Sequence, residues 1–210
     1  MGASTGHDSP VKDYERYEGG TIAGRCVHVI ELGTHPNTHP KAKFPTKKEL
    51  MIVWEIDELM EDGRPFTVYW RGTNSLSDKA HLFKLLSDWR GKKFTDEELK
   101  HFNLGKLLGV HALLNISLEK TKNDRYFNKV NSIMPLPKGM EMEYQHNEEI
   151  NPLVDFGVED LGTEEFDKLW PWVQNIVKES EEGQRFYSDS PDTGAAESPS
   201  AAPDDDDIPF

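Results

Sequence analysis

Two short stretches of the chain concentrate positive charge in a pattern that suits contact with phosphate groups. The first holds four cations within eight residues and the second holds four within ten: Lys41, Lys43, Lys47 and Lys48, then Lys120, Lys122, Arg125 and Lys129. Lysine and arginine neutralise phosphates without reading a base sequence. Either group alone is equally well explained as a solvated loop. The two together, each between strand candidates, favour one shared interface with a nucleic acid.

Binding to a single strand also requires flat aromatic faces on which bases stack. In the strand candidate Pro65 to Arg71, alternation puts Phe66, Val68 and Trp70 on the core side and leaves Tyr69 and Arg71 outward. In the candidate Tyr126 to Met134, Phe127 and Lys129 share the face opposite Tyr126, Asn128 and Val130. Trp54 falls with Ile52 and Ile56 and is predicted to be core, although a one-residue bulge would reverse any of these assignments. The predicted contacts outside the lysine loops are therefore Arg25, Tyr69, Arg71, Phe127 and Lys129, with the two guanidinium planes able to stack or pair with phosphate.

The last seven residues combine four carboxylates with a small apolar hook. Asp204, Asp205, Asp206 and Asp207 repel one another, and Ile208, Pro209 and Phe210 have no following chain to bury them. A partner protein would supply a pocket for the ring, a cation for the terminal carboxylate and a basic rim for the aspartates. The tip is therefore predicted to be a protein-interaction site.

The sequence supports a catalytic or metal-binding site less well than it supports a nucleic-acid interface. Cys26 and His28 stand two apart on the first strand candidate, where they are expected to share a face, and His35 and His39 follow, so a zinc site is an alternative. No paired cysteine motif fixes its geometry, and the interpretation of a small core cysteine with scattered histidines is preferred. The sequence contains no GxxxxGK[ST], GxSxG or HExxH motif. We therefore expect no enzyme, no cofactor and no metal.

The elements that position these residues are mainly strands. Strand candidates cover Thr21 to Leu32, Leu50 to Ile56, Pro65 to Arg71, Val110 to Leu118 and Tyr126 to Met134. An amphipathic helix is predicted over Ser77 to Trp89, and a capping box at Thr95 and Glu98 opens a short helix through Phe102. A further helix, Thr163 to Glu179, contains Pro171, which should kink it or reset its start.

Three strands, a helical insert and a two-stranded hairpin follow the order of an OB-fold, a five-stranded barrel with a helix between strands 3 and 4. A small mixed α+β sandwich is the competing fold, because strand order does not fix closure. The predicted organisation is a flexible N-terminal arm over 1–19, the barrel over 20–150, a C-terminal extension with a helix over 151–187, and a disordered linker and acidic tip over 188–210.

The net charge of −14 is unevenly distributed. Residues 1–150 hold 21 Lys+Arg against 22 Asp+Glu, whereas residues 151–210 hold 3 against 16. The body is thus nearly neutral and able to gather its cations on one face. No apolar run approaches the ~20 residues of a membrane span, the N-terminus has no secretory pattern, and the single cysteine makes no internal disulfide, so a cytoplasmic protein without membrane contact is expected.

The sequence also resembles two known groups of proteins. The tip resembles the acidic tip of bacterial single-stranded DNA-binding proteins, which end in a run of Asp followed by Ile-Pro-Phe. In the body, three segments resemble phage-encoded single-stranded DNA-binding proteins: Trp89 to Thr95 (WRGKKFT), Leu107 to Ile116 (LLGVHALLNI) and Asn131 to Gly139 (NSIMPLPKG). The chain departs from the pattern of these phage proteins at Gly109-Val110-His111 and in the histidine-containing loop after the first strand. The resemblance covers roughly residues 20–155 and 204–210 and implies an OB-fold protein of phage DNA replication, recombination or repair in the cytoplasm of an infected bacterium.

The leading hypothesis is sequence-independent binding of single-stranded DNA on the barrel face, with recruitment of host or phage replication and repair proteins through the tip. A second hypothesis is a recombination mediator or helicase-loading adaptor whose barrel chiefly binds protein. A third, a nuclease, has no motif behind it. The sequence leaves the oligomeric state open, self-association included.

Overall fold

The computed structural model describes residues 15–189, which form a mainly β structure with helices on both faces of one sheet. The strands are β1 (Gly19–Pro36), β2 (Thr46–Leu59), β3 (Pro65–Thr73), β4 (His111–Lys120), β5 (Tyr126–Pro135) and β6 (Val154–Phe156). The α-helices are α1 (His81–Arg90), α2 (Asp96–Lys100), α3 (Glu164–Asp167), α4 (Pro171–Glu179) and α5 (Glu181–Ser188), with 3₁₀ turns at Leu104–Leu107 and Val158–Asp160. None of the helices in residues 15–189 has the length and apolar character needed to cross a membrane.

The sheet has the order β3-β2-β1-β4-β5, with all these neighbours antiparallel. The long strand β1 organises it: its first part, from Gly19 to Arg25, pairs with β4, and its part from Gly24 to Pro36 pairs with β2. The short strand β6 pairs in parallel with His28 to Ile30 of β1. The sheet is open in the described residues, because no ladder joins its end strands β3 and β5.

Side chains bridge the gap between β3 and β5 where hydrogen bonds do not. At one end the backbone of Tyr17 exchanges hydrogen bonds with the Asn128 side chain of β5, while its ring packs on Phe66 of β3. At the other end α1 contacts both strands. Residues 15–18, predicted as part of a flexible arm, are thus tied to the sheet, whereas residues 1–14 lie outside the described part.

The sheet carries a hydrophobic core on each face. The first core contains Trp54, Val68, Leu114 and Ile133 from the strands, covered by Leu82, Leu86 and Trp89 of α1. The second core contains Val27, Ile30, Met51 and Val53 on the opposite face, covered by Phe156, Phe166, Val173 and Val177. Residues 143–187, here called the C-terminal cover, therefore belong to the same packed unit as the sheet.

Several sequence expectations meet the structure directly. The capping box is present: Thr95 Oγ1 accepts from the Glu98 backbone N–H and Glu98 accepts from the Thr95 backbone N–H. Pro171 resets the helix start, since it is the first residue of α4 after α3 has ended at Asp167. The prediction of five strands missed β6, whose three residues are too few to show a period. β1 also runs four residues past Leu32, through Gly33 at φ +91°, a backbone conformation that glycine adopts without strain.

Candidate nucleic-acid interface

The loop between β1 and β2 displays an aromatic ring among lysines. Phe44 is 63% exposed, and the Lys43 Nζ lies 5.5 Å from the centre of its ring. Lys41 and Lys43 are exposed as well. We call Lys41, Lys43 and Phe44 the Phe44 cluster; a flat face beside phosphate-binding cations is what single-strand binding requires.

The turn between β4 and β5 repeats this arrangement. Tyr126 is 52% exposed, and the Lys120 Nζ lies 5.5 Å from its ring centre. Lys122 and Arg125 are exposed beside it. We call Lys120, Lys122, Arg125 and Tyr126 the Tyr126 cluster. The register puts Gly19 opposite Ser117 and Pro36 opposite Thr46, so the two clusters lie at opposite ends of β1.

Ion pairs within the protein divide the ten predicted DNA-contacting cations into two sets. Five are paired: Arg25 with Glu55, Lys47 and Arg71 with Glu49, Lys120 with Asp124, and Lys129 with Glu119. Within residues 15–189 the other five form no salt bridge: Lys41, Lys43, Lys48, Lys122 and Arg125. The unpaired cations are concentrated in the two exposed loops, with Lys48 at the start of β2.

Glu49 binds two of the predicted cations at once. The Lys47 Nζ is 2.8 Å from Glu49 Oε1, and Arg71 donates from Nε at 2.7 Å to Oε2, with a second guanidinium nitrogen at 2.6 Å. Glu49 is buried, and burial opposes its charge, but Arg71 and Lys47 outweigh burial and lower the pKa of this carboxyl. The three groups form a partly buried triad with one net positive charge at pH 7.

The predicted stacking face on β2 and β3 is covered. Tyr69 points away from the first core, as alternation predicted, but it is half-buried and its ring lies 5.6 Å from that of Trp172 in α4. Trp172 in turn stacks on Trp170, with ring centres 6.0 Å apart and planes 10° apart, and Trp170 contacts His28 at 4.8 Å. The C-terminal cover therefore occupies the face of β1–β3 on which the sequence placed Tyr69 and Arg71.

Arg25 lies in a polar network under the first part of the cover. Its NH1 is 3.6 Å from Glu55 Oε1, and its Nε is 3.3 Å from His111 Nε2. Glu55 is fully buried and also contacts His146 Nδ1 at 2.7 Å and accepts from Asn151 Nδ2 at 3.2 Å. The contacts of His146 and Asn151 with Glu55 hold residues 146–151 against β2. Arg25 is therefore paired with Glu55 inside the protein and does not lie on an open surface.

Phe127 and Lys129 lie together on the outer face of β5. The register puts Phe127 opposite Glu119 and Lys129 opposite Ser117, while the core-facing residues of β4 are Ala112, Leu114 and Ile116. Phe127 is half-buried. A bulge at Asn131 separates them from Ile133, which returns to the first core. This face is adjacent to the Tyr126 cluster and extends it.

The expectation that Cys26 and His28 share a face is wrong. The pairing shifts between Cys26, opposite Trp54, and His28, opposite Val53, so Val27 forms a β-bulge. Cys26 enters the first core, and burial raises the pKa of its thiol well above the usual range. His28 lies on the other face against Trp170, where burial lowers its pKa to about 4. Within residues 15–189, no group of three His, Cys, Asp or Glu is arranged to hold a metal ion.

A cavity of about 490 Å³ lies between β6 and the 3₁₀ turn at Leu104–Leu107. Four carboxylates line it, from Glu31, Asp155, Glu159 and Asp160, and no Lys or Arg does. Burial and the neighbouring Asp160 and Glu159 raise the pKa of Asp155. This charge disfavours phosphate, so the cavity is not part of the candidate interface.

Two of the most exposed rings in the described part, Phe44 and Tyr126, were missed by the face assignments. Strand alternation does not apply to Phe44, which lies in a loop. Alternation placed Tyr126 on the core side of β5, but this first residue of the strand lies beyond the edge of the core and is exposed. The available signal was that each ring directly follows a cation in the sequence, as Lys43 precedes Phe44 and Arg125 precedes Tyr126. The predicted tip at residues 204–210 lies outside the described residues.

Comparison with protein-family models gives no match, and comparison with curated proteins gives none either.

Proposed function

We propose that this protein binds single-stranded DNA without sequence preference. The observation that carries the proposal is the exposed ring of Tyr126, which lies beneath the Lys120 ammonium and beside Lys122 and Arg125, two cations that form no salt bridge within residues 15–189. Aromatic faces for bases beside cations for phosphates are the two requirements of sequence-independent single-strand binding. The resemblance of the sequence to phage single-stranded DNA-binding proteins supports the same class.

The proposed fold is an OB-fold opened along one seam. The order β3-β2-β1-β4-β5, with α1 between β3 and β4, supports this proposal. A closed OB barrel adds pairing of β3 with β5, and here Tyr17 and α1 occupy that position. On this interpretation the proposed DNA path differs from the usual OB face, because the C-terminal cover occupies β1–β3.

The proposed path begins at the Tyr126 cluster. From there it crosses the outer face of β5, where Phe127 and Lys129 lie. The cover over β1–β3 is an unsuitable path because it is acidic: residues 151–189 hold three Lys+Arg against ten Asp+Glu. Phosphates are repelled there and attracted at the loops. Arg25, Tyr69 and Arg71 are accordingly assigned structural roles in this proposal, and the unpaired loop cations carry the electrostatics.

The proposed partners of the tip are replication and repair proteins of the host or phage, and the proposed location is the bacterial cytoplasm. Both rest on the sequence of residues 204–210 and its resemblance to bacterial single-strand-binding tips.

The test is a titration of labelled oligo-dT with the full chain at several salt concentrations. Binding that weakens steeply with salt, by ~0.7 log unit per log unit of salt for each phosphate neutralised, supports the proposal. Tyr126→Ala should weaken binding and leave the salt dependence nearly intact, because stacking is largely non-ionic. The absence of oligonucleotide binding at low salt would overturn the proposal.

A protein-binding adaptor is the second candidate, favoured by a specific observation. Half of the predicted DNA-contacting cations are neutralised internally, and several apolar side chains are exposed, among them Val110, Met134 and Met140. An adaptor of this kind would bind its partner protein with little dependence on oligonucleotide. The same titration separates the two candidates.

A further inference from the structure

The loop that carries Phe44 holds its shape through its own hydrogen bonds. The Asn37 N–H donates to the Pro45 carbonyl at 2.8 Å, which closes the loop, and the Ala42 N–H donates to the His39 carbonyl at 2.9 Å. The Asn37 and His39 side chains accept from the backbone N–H groups of His39 and Lys41. Pro40 and Pro45 restrict the chain further. Phe44 is therefore displayed on an ordered loop.

Exposure of this ring has no structural explanation in the described residues. Phe44 belongs to neither hydrophobic core, and the ammonium group of Lys43 lies over one face of its ring. A ring held outward among Lys41 and Lys43 offers its face to a flat partner while the lysines attract anions. A nucleobase with its phosphate satisfies both features at once.

We infer that Phe44 is a second base-stacking residue, so that a single strand is held at two separate clusters, one at each end of β1. This inference rests on the proposed function. It adds that the site is bipartite: one part is the Phe44 cluster and the other is the Tyr126 cluster.

The length of β1 sets how far apart the two parts lie. At about 3.3 Å per residue, a strand of 18 residues spans at most about 56 Å, and the bulges at Val27 and Leu32 bend it and shorten this distance. An oligonucleotide of about 4 nucleotides, at the low end of single-strand site sizes, occupies one cluster at a time, whereas one of about 16 nucleotides or more bridges both. Bridging raises affinity through effective concentration.

The experiment compares the full chain with Phe44→Ala, Phe44→Leu and Phe44→Trp, using short and long oligo-dT. For the long strand we expect Phe44→Ala and Phe44→Leu to weaken binding roughly 5- to 100-fold, because both remove the π-face, and Phe44→Trp to retain it. For the short strand we expect calorimetry to give two oligonucleotides per parent chain and one per Phe44→Ala chain. Phe186→Ala, which removes an exposed ring on the acidic α5, is the matched control and should leave both measurements unchanged.

Photo-crosslinking with iodouracil-substituted oligonucleotide gives a direct second readout, since adducts should map by mass spectrometry to the peptides containing Phe44 and Tyr126. Failure of the two proposals is distinguishable. If the parent binds no oligonucleotide, the proposed function fails. If the parent binds and Tyr126→Ala weakens binding, but Phe44→Ala binds like the parent and no adduct maps to Phe44, the bipartite site is refuted and the proposed function stands.

Discussion

Two buried carboxylates form ion pairs with lysine and arginine side chains that the sequence predicts to contact DNA. Glu49 holds Lys47 and Arg71, and Glu55 holds Arg25 while also contacting His146. Residue type alone made these three cations candidates for phosphate contact. Arg25 and Arg71 have their carboxylate partners on the neighbouring strand β2, and spacing along the chain does not reveal this cross-strand pairing, whereas Glu49 lies only two residues after Lys47 on the same strand.

Glu49→Gln should destabilise the fold, because it leaves Lys47 and Arg71 partly buried without their counter-charge. Breaking a buried pair in this way costs about 3 kcal/mol or more. The lowered pKa of Glu49 means that its contribution is present at neutral pH and is lost as pH falls through that pKa. Urea unfolding at pH 7 and at pH 3 measures the effect; a variant equally destabilised at both would show that charge is not the cause.

His28 should make the fold sensitive to acid. Its pKa is about 4 in the folded protein against 6.5 as the ordinary value, because burial against Trp170 disfavours the charged ring. The unfolded chain therefore binds a proton that the folded chain refuses, so stability is complete above pH 6.5 and falls as pH drops towards 4, by up to about 3 kcal/mol. His28→Phe keeps a ring against Trp170 and cannot titrate. The difference in unfolding free energy between parent and variant, measured at pH 7 and pH 4.5, should shrink or reverse in acid; a constant difference would exclude His28 as the source.

The sequence predicts well which strands and helices form, and it predicts poorly how they pair and pack against one another. The strands with long apolar alternation, the capped helix at Thr95 and the new helix at Pro171 all follow from local signals. The bulge at Val27 does not, because one extra residue leaves composition unchanged and yet moves His28 to the other face. The partner of α4 could not be predicted either: its apolar stripe required burial, but nothing local selected the face of β1–β3.

The two exposed loops should dominate the salt dependence of DNA binding. Lys43 and Lys122 form no salt bridge in the described residues, whereas Lys120 and Lys129 are offset by Asp124 and Glu119. Replacing Lys43 and Lys122 by Ala should lower the slope of log affinity against log salt by ~1.4. The matched pair Lys120→Ala with Lys129→Ala removes the same charge and should lower it by less than half as much. Equal slopes for the two double variants would contradict the division into free and paired cations.

The C-terminal cover should be indispensable to folding although it follows the five-stranded unit in sequence. Val173 and Val177 are fully buried against Val27, Met51 and Val53, so removing the cover exposes the whole second core. A chain ending at residue 142 should show no cooperative unfolding transition by circular dichroism. A chain ending at residue 189 should unfold within ~0.5 kcal/mol of the parent, as expected for changes away from the core. A stable, cooperative fragment 1–142 would show that the sheet folds without its cover.

Across the whole molecule, charge is separated along the chain. Residues 190–210 hold six Asp+Glu and no Lys or Arg, while Lys41, Lys43, Lys122 and Arg125, which form no salt bridge within residues 15–189, lie in the loops after β1 and β4. The two regions attract each other, and this attraction is screened by salt. The tip also carries the apolar Ile208 and Phe210, which the proposed partner protein would bury.

Deleting residues 204–210 should therefore have two separable effects. DNA binding should strengthen slightly, chiefly at low salt, because a competitor for the loop cations is removed. Capture of replication or repair proteins from a bacterial lysate should be lost. Phe210→Ala keeps every aspartate and should leave DNA binding as in the parent, yet it should nearly match the deletion in capture, because a buried ring holds a complex together while peripheral charges mainly speed encounter. Parallel pull-downs with the intact, Phe210→Ala and truncated chains decide this. Equal capture by all three would leave the tip no role as a protein-binding site, and loss of capture on deletion but not with Phe210→Ala would assign that role to the aspartates.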